Sequence, residues 1–162
     1  MSGQSIYMDT SSIVKRYVSE TGSELADIVY AKAEAGTRKI ITSIWSIGEV
    51  LGALDIYRSR KLISEVAFHE TVNAFLAESE KMLRLGGMQI IPLTSETLVG
   101  AYGIILKHHV YEADAVQLAT SKASKSAIFL SADKPLLAVA KAEEIYAFDI
   151  EVDAERIMEN LA

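Results

Sequence analysis

The sequence predicts an α/β domain built on a parallel sheet of four or five short strands flanked by helices. Two observations carry this. Short apolar runs of strand type alternate with longer stretches of helical periodicity, the pattern of a parallel sheet covered on both faces. The 162 residues suit one domain with a sizeable core, expected to span 1–162.

Taken in order, Ile6-Tyr7-Met8 is a short strand ending at Asp9. Helices are expected from about Ser12 to Val18 and Ser23 to Ala35, then a second strand at Lys39-Ile40-Ile41-Thr42. A helix runs from about Ile44 to Arg58 and a longer one from Ser64 to Leu85, where Gly86-Gly87 breaks the pattern. Gln89 to Leu93 is a third strand, followed by helices at about Glu96 to His108 and Ala113 to Lys122. Ile128-Phe129-Leu130 is a fourth strand, Lys134 to Ala142 a helix, Tyr146-Ala147-Phe148 a fifth strand and Asp153 to Leu161 a final helix.

Composition narrows the function. With no cysteine there is no disulfide framework, thiolate zinc site or cysteine nucleophile, which fits a reducing cytoplasm. The N-terminus lacks a basic region followed by an apolar run, so no signal peptide is expected. Apolar stretches such as Val99 to Leu106 are too short to cross a bilayer. Net charge is −6, from 22 acids and 16 bases, which argues against a broad, non-specific RNA binder. If four acids form a metal site, 18 acids face 16 bases and bound cations offset the rest. Mean hydropathy is slightly positive, consistent with a helix-rich core or an apolar surface covered by another chain.

In parallel α/β sheets, ligands bind in the crevice at the carboxyl ends of strands. That singles out Asp9 and Asp133, each following a strand. Both also precede helices, so N-capping explains them about as well, and one carboxylate can do both. Glu49 lies on a helix that is apolar on nearly every side, sharing a stripe with Trp45, Gly52, Ala53 and Ile56. A carboxylate there is either solvated on the one polar edge of a buried helix or needs a cation. Gly48 and Gly52 weaken that helix, and close packing is their expected reason. Asp114 opens a helix whose Ala115, Ala119 and Ala123 allow close packing, with first-turn charge as the alternative role and Glu112 as a local competitor.

Four motifs turn these acids into a set. Tyr7-Met8-Asp9-Thr10-Ser11-Ser12-Ile13-Val14-Lys15-Arg16-Tyr17 resembles the opening motif of PIN-domain proteins, especially toxins of the VapC type. Ser43, six residues before Glu49-Val50, resembles their second motif. Asp114-Ala115-Val116-Gln117-Leu118-Ala119-Thr120 resembles the third, and Leu130-Ser131-Ala132-Asp133 the fourth. The resemblance spans Tyr7 to about Ala140, with the motifs in order. It implies a PIN-like three-layer fold, catalytic and metal-ligating roles for Asp9, Glu49, Asp114 and Asp133, support from Ser131 and Thr10, and Mg²⁺ or Mn²⁺ as cofactor. It also implies an RNA substrate, a homodimer and a small antitoxin partner. Lys134-Pro135 stand where some relatives carry a further acid, which bears on a second metal position.

The residue types suit that chemistry. Hard cations prefer carboxylate oxygen, neutralise a phosphodiester and activate water. The expected reaction is in-line attack with a 3′-oxygen leaving, giving a 5′-phosphate. A haloacid-dehalogenase-like phosphatase needs an Asp two residues after its nucleophile, where Ser11 stands. Weaker signals are His69, expected to be solvated, and His108-His109, adjacent and so about 100° apart on a helix. Lys15, Arg16, Arg38 and Lys39 are candidate phosphate contacts near Asp9, with solvated surface charge the favoured reading of each. Tyr57, Arg58, Arg60 and Lys61 form a basic segment, a weak candidate for RNA or partner contact. Two alternatives stay open: a PIN domain in RNA processing without an antitoxin, and a catalytically silent RNA- or protein-binding module.

Overall fold

A computed structural model describes residues 4–162; the first three residues of the expected domain lie outside it. Among these described residues, five strands form one parallel sheet in the order β3-β2-β1-β4-β5: β1 Ser5–Met8, β2 Lys39–Ser43, β3 Met88–Ile91, β4 Ile128–Ser131 and β5 Ala147–Asp149. β1 is central, and Tyr7 pairs with Ile41 on one side and Phe129 on the other. The chain moves outward from β1 to β3, then crosses back to β4. The direction therefore reverses between β1 and β4, the place where ligands bind in such sheets.

Among the described residues, eight helices cover the two faces: α1 Thr10–Val14, α2 Ser23–Glu34, α3 Ile44–Ser59, α4 Glu65–Leu85, α5 Ser95–His108, α6 Glu112–Ser124, α7 Lys134–Ala142 and α8 Ala154–Leu161. Alternate strand residues feed two cores. Ile6, Met8, Ile40, Ile128 and Leu130 pack with α1–α4 and α8 through Val29, Leu54, Phe75, Met82 and Ile157. Tyr7, Ile41 and Phe129 face α5–α7 through Ile104, Leu118, Ala119 and Leu137. Among the described residues, no helix is long and apolar enough to cross a membrane.

Several expectations shift. The helix expected over Ser12–Val18 begins at Thr10, because the Asp9 side chain caps it by accepting from the Ser12 amide, and it closes at Val14. β3 starts at Met88 rather than Gln89 and ends at Ile91, its length set by register with Ile40–Ser43. Gly87 permits the close approach after α4: a Cβ there would meet the Ala33 carbonyl oxygen at 2.5 Å.

The largest correction concerns α3. Only Ser46, Val50 and Leu54 are buried along it, while Ile44, Trp45 and Ile56 are 47–49% exposed. The helix lies over one edge of the core instead of inside it. Gly48 and Gly52 do not serve close packing within the chain, since a Cβ at either meets nothing within 4 Å.

Candidate active site

Asp9 follows β1 at the reversal point, and its carboxylate is 3% exposed. Three serines hold it. Oδ1 accepts from the Ser12 amide at 2.9 Å and Ser11 Oγ at 2.8 Å, and Oδ2 accepts from Ser131 Oγ at 2.7 Å. The same hydroxyls join the ends of β1 and β4. Ser131 Oγ accepts from the Asp133 amide, Ser11 Oγ from the Ala132 amide, and Ser12 Oγ donates to the Leu130 carbonyl. Burial pushes the Asp9 carboxyl up to about 6, against the downward pull of these donors.

Asp133 caps α7, with Oδ1 accepting from the Leu136 amide at 3.0 Å. Asp9 and Asp133 are therefore both helix caps and members of the crevice. Lys134-Pro135 form the first turn of α7. Glu49 projects from α3, and its Oε2 accepts from Thr10 Oγ1 at 2.9 Å and from the Gln117 amide nitrogen. Asp114 sits in the first turn of α6, half-buried. Its carboxyl is raised by burial first, then by the negative charges of Asp133 and Glu49. Asp114 thus feels the charge of two of the other three acids.

All four acids line one cleft of about 380 Å³. Glu112, the local competitor of Asp114, is exposed and lies outside that lining. The donor set is hard oxygen throughout, with no imidazole or thiolate lining the cleft, which fits Mg²⁺ or Mn²⁺. Among the described residues, no three acids or histidines stand at metal-holding spacing. Instead, Asp9 is turned to serine donors, Glu49 to Thr10 and Gln117, and Asp133 to the α7 amides.

Gln117 is the residue that sequence reasoning missed. It is buried, its Oε1 accepts from Tyr7 OH and Ser46 Oγ, and its amide nitrogen faces Glu49 and Thr10. The available signal was its position one helical turn after Asp114, as the one amide in a small, apolar run.

Lys15, for which the sequence favours solvated surface charge, is instead 3% exposed and lines the cleft. Its Nζ donates to Glu20 and Glu151. Gly22 shapes this arrangement: its φ is +90°, and a Cβ there would meet the Ile150 carbonyl oxygen at 2.9 Å and Lys15 Cδ at 3.1 Å. Arg16 is tied to Glu78 and Asp27. Lys39 pairs with Ser5 at the amino edge of the sheet, so neither it nor adjacent Arg38 lies at the Asp9 end. In the basic segment, Tyr57 lines the cleft and donates to Glu20, whereas Arg58 bonds Asp55 and Glu65. His69 is exposed, and His108 contacts Glu143.

The family model of the PIN domain matches residues 6–142. A comparison with curated proteins finds no match. Among solved structures, the chain is similar to Mycobacterium tuberculosis VapC20, described as a Sarcin-Ricin loop cleaving toxin, with TM-score 0.62 and 17% identity over 82% of this chain and 93% of that one. It is similar to FitAcB from Neisseria gonorrhoeae, with TM-score 0.61 and 15% identity over 90% and 97%. VapBC2 from Rickettsia felis, bound to a promoter DNA fragment, gives TM-score 0.58 and 9% identity over 90% and 98%. At these identities the likenesses establish a shared fold. With the family match spanning most of its length, the chain belongs to the PIN-domain family.

Proposed function

We propose that the protein is a divalent-metal-dependent endoribonuclease that hydrolyses RNA phosphodiesters, acting as the toxin of a VapBC-type toxin–antitoxin pair in the cytoplasm. The observation that carries this reading is the meeting, in one cleft, of four acids drawn from the ends of β1 and β4 and from α3 and α6. Asp9, Glu49, Asp114 and Asp133 would hold Mg²⁺ or Mn²⁺. When bound, the cation neutralises the phosphodiester and acidifies a water molecule.

The chain's own residues prepare that site. Ser11, Ser12 and Ser131 fix Asp9 against rotation, so a buried carboxylate is ready without reorganisation. Thr10 and Gln117 engage one oxygen of Glu49. A cation there would relieve the repulsion of Asp114 by Asp133 and Glu49.

The half-exposed apolar face of α3 supports a homodimer or an antitoxin contact. The names of the structural neighbours support the toxin assignment over a role in RNA processing, and the four intact acids support turnover over a silent binding module.

Cleavage of RNA should require Mg²⁺ or Mn²⁺, leave 5′-phosphates, and fall to background in Asp114→Asn. Cleavage that survives both EDTA and the substitution, or that yields 2′,3′-cyclic phosphates, contradicts the assignment.

A further inference from the structure

We infer that Gln117 is a positioning residue for the metal site, orienting Glu49 toward the cation, and that Tyr7 and Ser46 act on the site through it. The inference rests on the metal-nuclease reading above and extends it to residues outside the four acids.

A glutamine amide offers two acceptor positions and two donors. In Gln117 all four are used. Tyr7 OH donates to Oε1 at 2.6 Å and Ser46 Oγ donates to it at 3.0 Å. Two hydroxyl donors on one oxygen fix which end of the amide is which. The nitrogen is thereby committed to the opposite side, where it donates to Glu49 Oε2 and to Thr10 Oγ1 at 3.3 Å. Thr10 in turn donates to the same Glu49 oxygen. Among the described residues, Glu49 is held through Oε2 alone, which would leave Oε1 to meet a cation.

Because every hydrogen-bonding position of Gln117 is occupied, it has none left for RNA or water. That makes it a positioning residue rather than a catalytic one. The anchor is rigid. Gln117 is 2% exposed, and the Tyr7 ring stacks on Phe129 at 5.2 Å and 8°. The three elements β1, α3 and α6 therefore set one carboxylate through one amide.

Calorimetric titration of Mn²⁺ into wild type, Gln117→Leu, Tyr7→Phe, Ser46→Ala and the Tyr7→Phe/Gln117→Leu double variant tests this, with circular dichroism as the folding control. Gln117→Leu should weaken Mn²⁺ binding by roughly tenfold or more, the usual effect of removing a partner that orients a metal ligand. It should also move the Mg²⁺ dependence of cleavage to higher concentration. Tyr7→Phe and Ser46→Ala should weaken binding less, and Tyr7→Phe should add nothing on the Gln117→Leu background.

A folded Gln117→Leu with unchanged Mn²⁺ affinity overturns the inference and leaves the metal-nuclease reading intact. So does a Tyr7→Phe effect that persists at full size in the double variant. If Gln117→Leu does not fold, wild-type Mn²⁺ affinity in both Tyr7→Phe and Ser46→Ala overturns it. Wild-type protein that binds no Mn²⁺ overturns the metal reading and the inference together.

Discussion

Two clusters of charge in this molecule both involve carboxylates and behave in opposite ways. At the end of α7, Glu143 receives Lys107, His108 and Lys122, each at 2.7 Å. Their hydrogen bonds, led by Lys107, hold its carboxyl down to about 2. In the cleft, Asp9 is held up to about 6 by burial, and Asp114 is raised by burial and by its neighbours Asp133 and Glu49. The cation that lines the cleft, Lys15, is paired with Glu20 and Glu151 instead. Glu143 has its charge matched inside the chain and is complete as a piece of structure. The cleft acids gather like charge where solvation is poor, an arrangement that costs stability and that the cation proposed above would make favourable. On the proposed metal-site reading, the difference separates acids that hold the fold from acids that await a ligand.

The sharpest way to break this comparison is Asp9→Asn. Asparagine caps a helix as well as aspartate, so the fold should persist. Cleavage should fall to background, while metal-free stability at pH 7 rises by about 1–2 kcal/mol because a buried charge is gone. The sign follows from linkage. Folding raises the proton affinity of Asp9, so the metal-free wild type gains stability from this group as pH falls from about 6 toward 4. The variant lacks that gain, and the difference in unfolding free energy, measured in EDTA, should close near pH 4. In the wild type, Mn²⁺ affinity should decline as pH drops below about 6, where Asp9 takes up a proton.

Ser131→Ala sharpens the comparison from the donor side. It removes the 2.7 Å bond to Asp9 and the acceptor of the Asp133 amide. Stability should fall by about 2 kcal/mol, as expected for stranding buried polar groups. The acid limb of Mn²⁺ binding should move to higher pH, because a donor that favoured the charged carboxylate is lost. Glu143→Gln gives the smallest effect, about 1 kcal/mol of stability at pH 7, since Lys107 and Lys122 are themselves exposed. RNA cleavage and Mn²⁺ affinity should not change. A comparable loss of cleavage in Glu143→Gln would erase the distinction between the clusters.

Much of the sheet and part of the cleft can be read along the chain. Ile6-Tyr7-Met8 before Asp9 and Ile128-Phe129-Leu130 before Ser131-Ala132-Asp133 announce strands that end in acids, because local apolar runs and caps are local signals. Strand limits are less legible, because pairing with a neighbour sets them, as the Ile40–Ser43 register does for β3. The exposure of α3 is hidden for the same reason. Its periodicity records how apolar each side is, not which side the sheet covers.

The supporting residues depend on contacts far apart in sequence. Tyr7 reaches Gln117 across 110 positions, and Lys15 reaches Glu151 across 136. A hydroxyl in a strand and an amide in a helix carry no mark of that meeting until the sheet reverses between β1 and β4.

A crystal of the protein soaked in Mn²⁺ and measured at the manganese edge tests the central claim most directly. Anomalous density among Asp9, Glu49, Asp114 and Asp133, abolished in Asp9→Asn, is the predicted result. Manganese bound only at other acids, or none in a crystal whose cleft is open to solvent, would contradict it.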